Sequence, residues 1–246
     1  MAVEQPVWPL PPGISAFTST RDGGASAAPH DSFNLAGHVG DDPVAVERNR
    51  ARLAAMLPAG ASVRWLHQVH GTRVLVDDGD ASAPADAAVS RRPGLACAIL
   101  TADCLPVLFC SVDGRVVAAA HAGWRGLAGG VLEATIAAMA VDPGDITAWL
   151  GPAIGPRAFE VGPEVHAAFA AHWPADPAAL HAAFRPGRGD RLHADLHALA
   201  GARLAAAGVT ACFRDPRCTA SDPGRFYSFR RDGDTGRMVS LILINP

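Results

Sequence analysis

The chain contains no lysine: all 21 of its basic residues are arginine. Schiff-base and lysine-base catalysis are therefore excluded. No apolar run reaches the roughly eighteen residues that a membrane span needs, and the opening MAVEQPVWPLPPG lacks a basic segment followed by an apolar one. A cytoplasmic protein with no membrane partner is expected. There is no CxxC pair, and the five cysteines (97, 104, 110, 212 and 218) are odd in number, so reduced thiols are expected rather than a disulfide framework. Basic charge is not in excess either. A net charge of −3 and a pI near 6.3 argue against nucleic acid, whose phosphates need a basic stripe. No internal repeat, heptad pattern or low-complexity linker divides the chain, and nothing in it points to a protein partner. With 49% hydrophobic residues, the 246-residue chain can build one large core, so one domain over residues 1–246 is expected.

Turn and cap signals divide the chain into elements. Residues 14–18 read as a strand and 33–35 as a second, short one. Asp42 as N-cap and Pro43 at the first helical position start a helix over 44–56, with Val46, Leu53 and Met56 or Leu57 inward. Residues 63–66 and 72–76 are strand-like and flank His67-Gln68-Val69-His70-Gly71. If the first strand continues through this motif, the period of two puts Leu66, Gln68 and His70 on one face and His67 with Val69 on the other. Either a structural histidine or a ligand suits that pattern. The run 77–88, DDGDASAPADAA, reads as an exposed acidic loop.

The next segment is more specific. Residues 95–100 are a continuous apolar strand, Thr101-Ala102-Asp103 interrupts it, and 105–110 resumes before Asp113-Gly114, a two-residue hairpin signal, and 115–120. That turn pairs Val112 with Arg115, and counting back pairs Pro106 with His121 and Cys104 with Gly123. Cys104 and His121 then become diagonal neighbours on one face, about 7–8 Å apart at Cα. A slip of one residue would separate them. The same period points Asp103 away from Cys104, which suits a structural role.

After His121, Ala122-Gly123-Trp124-Arg125-Gly126 leads into a helix over 127–140 with Val131, Ile136 and Met139 inward. Small residues at such a junction leave N–H groups free for an anion or a carbonyl oxygen, and Arg125 could add a bidentate contact. A packing turn with a surface arginine is the plainer reading. Residues 146–150 form a strand entering Gly151-Pro152-Ala153-Ile154-Gly155-Pro156, which suits a pocket wall or a structural turn. Helices follow from Pro163 to about His172 and around Asp195 to Gly208, then a strand over 209–213. A last hairpin joins 226–230 to 238–244, the latter apolar enough to be buried on both faces. His166, His172, His181, His193 and His197 read as surface or satisfied residues. Strands and helices do not alternate regularly, so the fold class is α+β, with mixed sheets and helices outside.

Read together, LHQVHG, TADCLPVLF, AAHAGWRGL, WLGPAIGP, FEVG and TGRM, following STRDGG near residue 19, resemble the YfiH family of laccase-like, multicopper polyphenol oxidase domain proteins. The resemblance implies a mixed β-sandwich flanked by helices, α/β/β/α-like. It implies a zinc ion, with copper possible, held by His70, Cys104 and His121. It also implies purine nucleoside chemistry: phosphorolysis of adenosine, inosine and methylthioadenosine, and hydrolytic deamination of adenosine, with nucleoside and phosphate as partners. Laccase activity and peptidoglycan-precursor editing are other descriptions within the family. Cys104 and His121 are thus the catalytic candidates, and Arg21 and Asn34 are placed by the resemblance beside Arg125 as substrate-binding candidates. His30 and His38 could line the pocket, though nothing local assigns either a role.

Two imidazoles and one thiolate with an open fourth position are the ligand type of a catalytic zinc, which lowers the pKa of bound water towards about 7. The HxE and PCxxC signature of other zinc deaminases is absent. For phosphorolysis a phosphate must be held, and Arg21, Arg125 and the amides of 123–126 are the candidates; no acid/base residue stands out. A true laccase would need HxH groupings for several coppers, and none of the ten histidines forms one. Two alternatives stay open: a metal-free cysteine hydrolase, with Cys104 as nucleophile, His121 as base and the glycine-rich turn as oxyanion hole, and a non-catalytic, metal-stabilised binding protein.

Overall fold

Side chains alternate between the two faces of a strand, and here both faces of the central strands are apolar, which requires a layer on each side. The computed structural model describes residues 3–77, 79–80 and 82–246. Among these residues the strands are β1 (Val3–Glu4), β2 (Ile14–Ser19), β3 (Ser62–Arg64), β4 (Val74–Val76), β5 (Ala87–Ser90), β6 (Leu95–Thr101), β7 (Leu105–Ser111), β8 (Val117–Ala122), β9 (Ile146–Leu150), β10 (Glu160–Val161), β11 (Phe184–Pro186), β12 (Leu192–Ala194), β13 (Ala211–Arg214) and β14 (Met238–Ile244). The helices are α1 (Pro43–Met56), α2 (Trp124–Gly129), α3 (Val131–Met139), α4 (Pro163–Ala171), α5 (Pro177–Ala182), α6 (Leu196–Ala206) and α7 (Phe229–Asp232).

One sheet has the order β1-β2-β14-β6-β3 and a second the order β13-β9-β7-β8-β5-β4; a small third sheet runs β10-β12-β11. Cys97, Ile99 and Ile242 of the first large sheet pack against Leu108, Cys110, Val117, Ala119 and Trp149 of the second. Their alternate neighbours face outward. Ala96, Ala98, Leu100, Leu241 and Leu243 meet Leu53 and Leu57 at α1, while Leu105, Val107, Phe109 and Ala120 meet Leu127, Val131 and Leu132 of α2 and α3 and Leu199 of α6. The protein is therefore a mixed β-sandwich between helical layers, as the sequence implied. Among the described residues no helix is long and apolar enough to cross a membrane.

Helix α1 starts where its caps direct: Asp42 accepts from the Val44 N–H at 3.0 Å, with Pro43 in the first turn. Met56 is exposed, and Leu57 takes the inward place. The hairpin register also follows its turn. Pro106 pairs with His121 and Leu105 with Ala122. β6 and β7 belong to different sheets, so 102–104 is a crossover between layers rather than an interruption in one strand.

Five expectations change. Residues 33–35 are buried but not extended in a sheet, because Asn34 turns its side chain onto the Ala36 N–H and carbonyl. The strand at 62–64 does not continue through His67-Gln68-Val69-His70, where His70 takes φ +61°. The expected helix over 127–140 is two, α2 and α3, divided by Gly130 at φ +97°, a conformation open to glycine. The run 77–88 is exposed only in part: Ala85, Asp86, Ala87 and Ala88 are fully buried, and Asp78 and Ala81 fall outside the described residues. Residues 226–230 pair with no strand. Ser228 caps the short helix α7, Asp103 accepts from the Arg230 N–H at 2.7 Å, and β14 pairs instead with β2 and β6.

Candidate functional site

Three separate segments meet where the crossover before β7, the end of β8 and the turn at His70 come together. One ligand atom from each of His70, Cys104 and His121 lies within 4.8 Å of the others. Cys104 Sγ is 3.8 Å from His70 Nε2, and the two imidazole rings are 4.7 Å apart at their centroids. Their approach needs the bare backbone of Gly123, since a Cβ there would lie 2.9 Å from His70 Cδ2 and 3.0 Å from Cys104 Sγ. Two imidazoles and a thiolate converging without intervening protein groups fit a metal ion.

Asp86, fully buried at the start of β5, holds two of the three donors. Its carboxylate accepts from His121 Nδ1 at 2.8 Å, which leaves the His121 Nε2 for a ligand bond. It also accepts three successive backbone N–H groups, from Val69 at 3.1 Å, His70 at 2.8 Å and Gly71 at 2.7 Å. These bonds hold His70 in its left-handed conformation, which costs a non-glycine residue about 1–3 kcal/mol. Burial alone would raise the Asp86 carboxyl, but the His121 imidazole and the Gly71 and Val69 amides outweigh it and keep its pKa below the ordinary value.

The donors form a charged pair. Burial would push the Cys104 thiol up, yet the charge of His121 and hydrogen bonds from His121 and His70 bring it down to about 6. For His121, burial opposes the imidazolium, and the Cys104 thiolate with Asp86 prevails and raises it to about 9. These directions are those of a thiolate–imidazolium pair, and a metal cation bound by both groups would displace the imidazolium proton.

The donors open into a cavity of about 430 Å³. Three arginines line it, each over an aromatic ring of the same wall: Arg125 over Trp124 at 4.4 Å, Arg230 over Phe159 at 5.4 Å and Arg237 over Phe229 at 5.9 Å. Gln68 mimics a strand partner, exchanging hydrogen bonds with the Leu100 N–H and carbonyl, and so ties the His70 turn to β6. His38 lines the cavity too; burial first, then Arg237, His67 and Arg50, lower its pKa and favour the neutral imidazole.

Asp103 is a brace. At φ +88°, its carboxylate accepts from Thr219 Oγ1 at 2.6 Å and Ser228 Oγ at 2.9 Å as well as from the Arg230 N–H. Of the other substrate-binding candidates, Arg125 lines the cavity, whereas Arg21 and Asn34 do not. The Arg21 guanidinium donates to the Asp31 and Pro223 carbonyls and covers the Tyr227 ring. Asn34 Oδ1 accepts from the Arg237 N–H at 2.9 Å, so it supports a cavity arginine at one remove. Asp86, Arg230 and Arg237 were not among the sequence candidates; of the two histidines named as possible pocket residues, His38 lines the cavity and His30 does not. Arg237 and Phe159 do lie within TGRM and FEVG, two of the words that carry the resemblance.

A family model described as multi-copper polyphenol oxidoreductase laccase matches residues 15–245. The chain belongs to that family. A Pseudomonas aeruginosa protein named as a purine nucleoside phosphorylase is 54% identical over 238 residues, 96% of each chain. The Escherichia coli purine nucleoside phosphorylase YfiH is 53% identical over 239 residues, again 96% of each. Among solved structures, a Neisseria meningitidis protein aligns over 100% of both chains at 45% identity with a TM-score of 0.94. The Bacillus licheniformis YfiH protein aligns over 94% of this chain and 93% of its own at 30% identity, with a TM-score of 0.87. Both the family and the sandwich read from the sequence motifs are thereby established for this chain.

Proposed function

We propose that the protein is a zinc-dependent purine nucleoside phosphorylase that also deaminates adenosine hydrolytically. The observation that carries this reading is a two-imidazole, one-thiolate donor set in the same cavity as three guanidinium groups and three aromatic rings. Relatives named as purine nucleoside phosphorylases at more than 50% identity supply the substrate class. Zinc held by His70, Cys104 and His121 would supply a Lewis acid with an open coordination position.

The chain's own residues do the rest. Trp124, Phe159 and Phe229 offer flat apolar surface to a purine ring. Arg125, Arg230 and Arg237 offer charge-assisted donors to phosphate oxygens. In phosphorolysis a phosphate oxygen bonds to the ribose C1′ as the C1′–N9 bond breaks; its electron pair leaves with the purine, which takes up a proton. Holding phosphate and nucleoside together removes the entropy cost of their meeting. In deamination, water adds at C6 and ammonia leaves. Asn34 belongs to this reading as a support of the Arg237 backbone rather than as a contact; Arg21, taken up by the Asp31 and Pro223 carbonyls, stands outside the cavity.

A second reading rests on the Cys104 thiol, brought down to about 6 beside His121: a metal-free hydrolase with a thiolate nucleophile. Incubating the purified protein with adenosine and with inosine, with and without phosphate, and separating the products by chromatography distinguishes these outcomes. Free base that forms only with phosphate is the expected result, together with inosine from adenosine in either buffer. Metal analysis is expected to give about one zinc per chain, lost with activity in Cys104→Ala. Full zinc retention in that variant sinks the ligand assignment, and absence of both products favours the hydrolase.

A further inference from the structure

Next to the donor-lined cavity lies a second, wider one of about 650 Å³, which no step above uses. Four arginines, Arg157, Arg188, Arg191 and Arg230, line it with His193, against one acidic residue, Glu160. This concentration does not follow from composition, since the chain as a whole carries a net charge of −3. Glu160 is engaged locally. It accepts from the Arg188 N–H at 3.1 Å and lies 3.5 Å from Arg188 Nη2 and 4.0 Å from His193 Nε2. Its charge is therefore matched by Arg188. Among the described residues the side chains of Arg157 and Arg191 have no hydrogen bond or ion pair, so their charge stands uncompensated beside Arg230.

The surroundings are fixed. Arg188 and Arg191 sit on the β11–β12 turn, closed by Gly187 N–H to the Arg191 carbonyl at 2.9 Å and Arg191 N–H to the Arg188 carbonyl at 3.1 Å. His193 Nδ1 lies 3.0 Å from the Pro156 carbonyl, next to Arg157. Arg230 Nη1 donates to the Glu160 carbonyl at 2.9 Å while its backbone is held by Asp103. Arg230 lines both cavities.

We propose that this outer cavity is a binding site for a phosphoryl anion, adjoining the inner cavity through Arg230. Uncompensated guanidinium groups around a concave surface recognise oxyanions, and arginine's planar fork matches phosphate oxygens. That the anion is phosphoryl rests on the nucleoside reading above. Two sources share this chemistry: inorganic phosphate gathered before it enters the inner cavity, or a phosphate carried by a ligand whose base lies inside.

Calorimetric titration of zinc-loaded protein with inorganic phosphate, adenosine and adenosine 5′-monophosphate tests it, comparing the wild type with Arg157→Ala/Arg191→Ala. Both side chains are free of partners, so the double variant should keep its zinc content, which serves as the check on folding. Phosphate or monophosphate binding is expected to weaken at least about tenfold, with adenosine binding unchanged and Arg157→Lys/Arg191→Lys retaining most of the affinity. A loss seen with inorganic phosphate assigns the site to the free ion; a loss confined to the monophosphate assigns it to a ligand-borne group. Equal affinities in wild type and double variant, or no binding of either anion to the wild type, overturn the proposal. If the monophosphate effect appears but no phosphorolysis occurs, the outer site stands and the phosphorylase reading falls.

Discussion

At the scale of single residues, Cys104 differs from the two buried thiols of the sandwich, Cys97 and Cys110. Burial pushes Cys97 and Cys110 up to about 12, whereas His121 and His70 bring Cys104 down to about 6. A thiolate exists above its pKa, so in metal-free protein alkylation of Cys104 by iodoacetamide should rise between pH 5 and 7 and then level off. Peptide mapping by mass spectrometry is expected to show a midpoint near pH 6 and protection by zinc; a midpoint near that of a free thiol, about 8.5, would contradict the charged pair. Cys104 and His121 were legible as neighbours because a two-residue turn fixes hairpin register without help from elsewhere. His70 was legible as a candidate through its motif, not through strand period, since its turn is held by a carboxylate sixteen residues on. Asp86 itself was hidden: an aspartate in an acidic, alanine-rich run looks the same whether it is solvated or fully enclosed.

At the scale of elements, the junction between β8 and α2 decides how closely the donors approach. Replacing Gly123 by alanine would set a methyl group within 3.0 Å of both His70 and Cys104. Zinc affinity is expected to fall by about tenfold or more, as for other changes that displace metal ligands, while far-UV circular dichroism stays that of the wild type. Unchanged affinity in a competition with a chromophoric chelator would show that the donors tolerate the methyl. The segment 226–230 was misread at this scale for a physical reason. Phe226 and Tyr227 are buried aromatics that suit a strand, but the conformation is set by Asp103, more than a hundred residues earlier in the chain. Helix α1, by contrast, was legible because its cap and its proline act locally.

At the scale of the whole molecule, stability lies in the middle layer. Leu108 is fully buried between the two large sheets, where Leu108→Ala should cost about 2–5 kcal/mol through lost transfer energy and a cavity. A lower urea midpoint with an unchanged slope is the expected signature; a shift corresponding to less than about 0.5 kcal/mol, the usual range for a surface substitution, would place Leu108 outside a tightly packed layer. The sandwich was only partly legible from patterning, because strands covered on both faces lose the polar alternation that marks a solvent side. Family words carried that inference where periodicity could not.

Asp86 gives the centre one shared foundation. Its carboxylate steadies His70 through the backbone and His121 through the ring, and it stands at the head of β5, which is flanked by β4 and β8 within the sheet. The two imidazoles therefore share one support. Loosening of β5 is expected to release both together, so that a metal held there would be lost with local melting of the sheet rather than ligand by ligand.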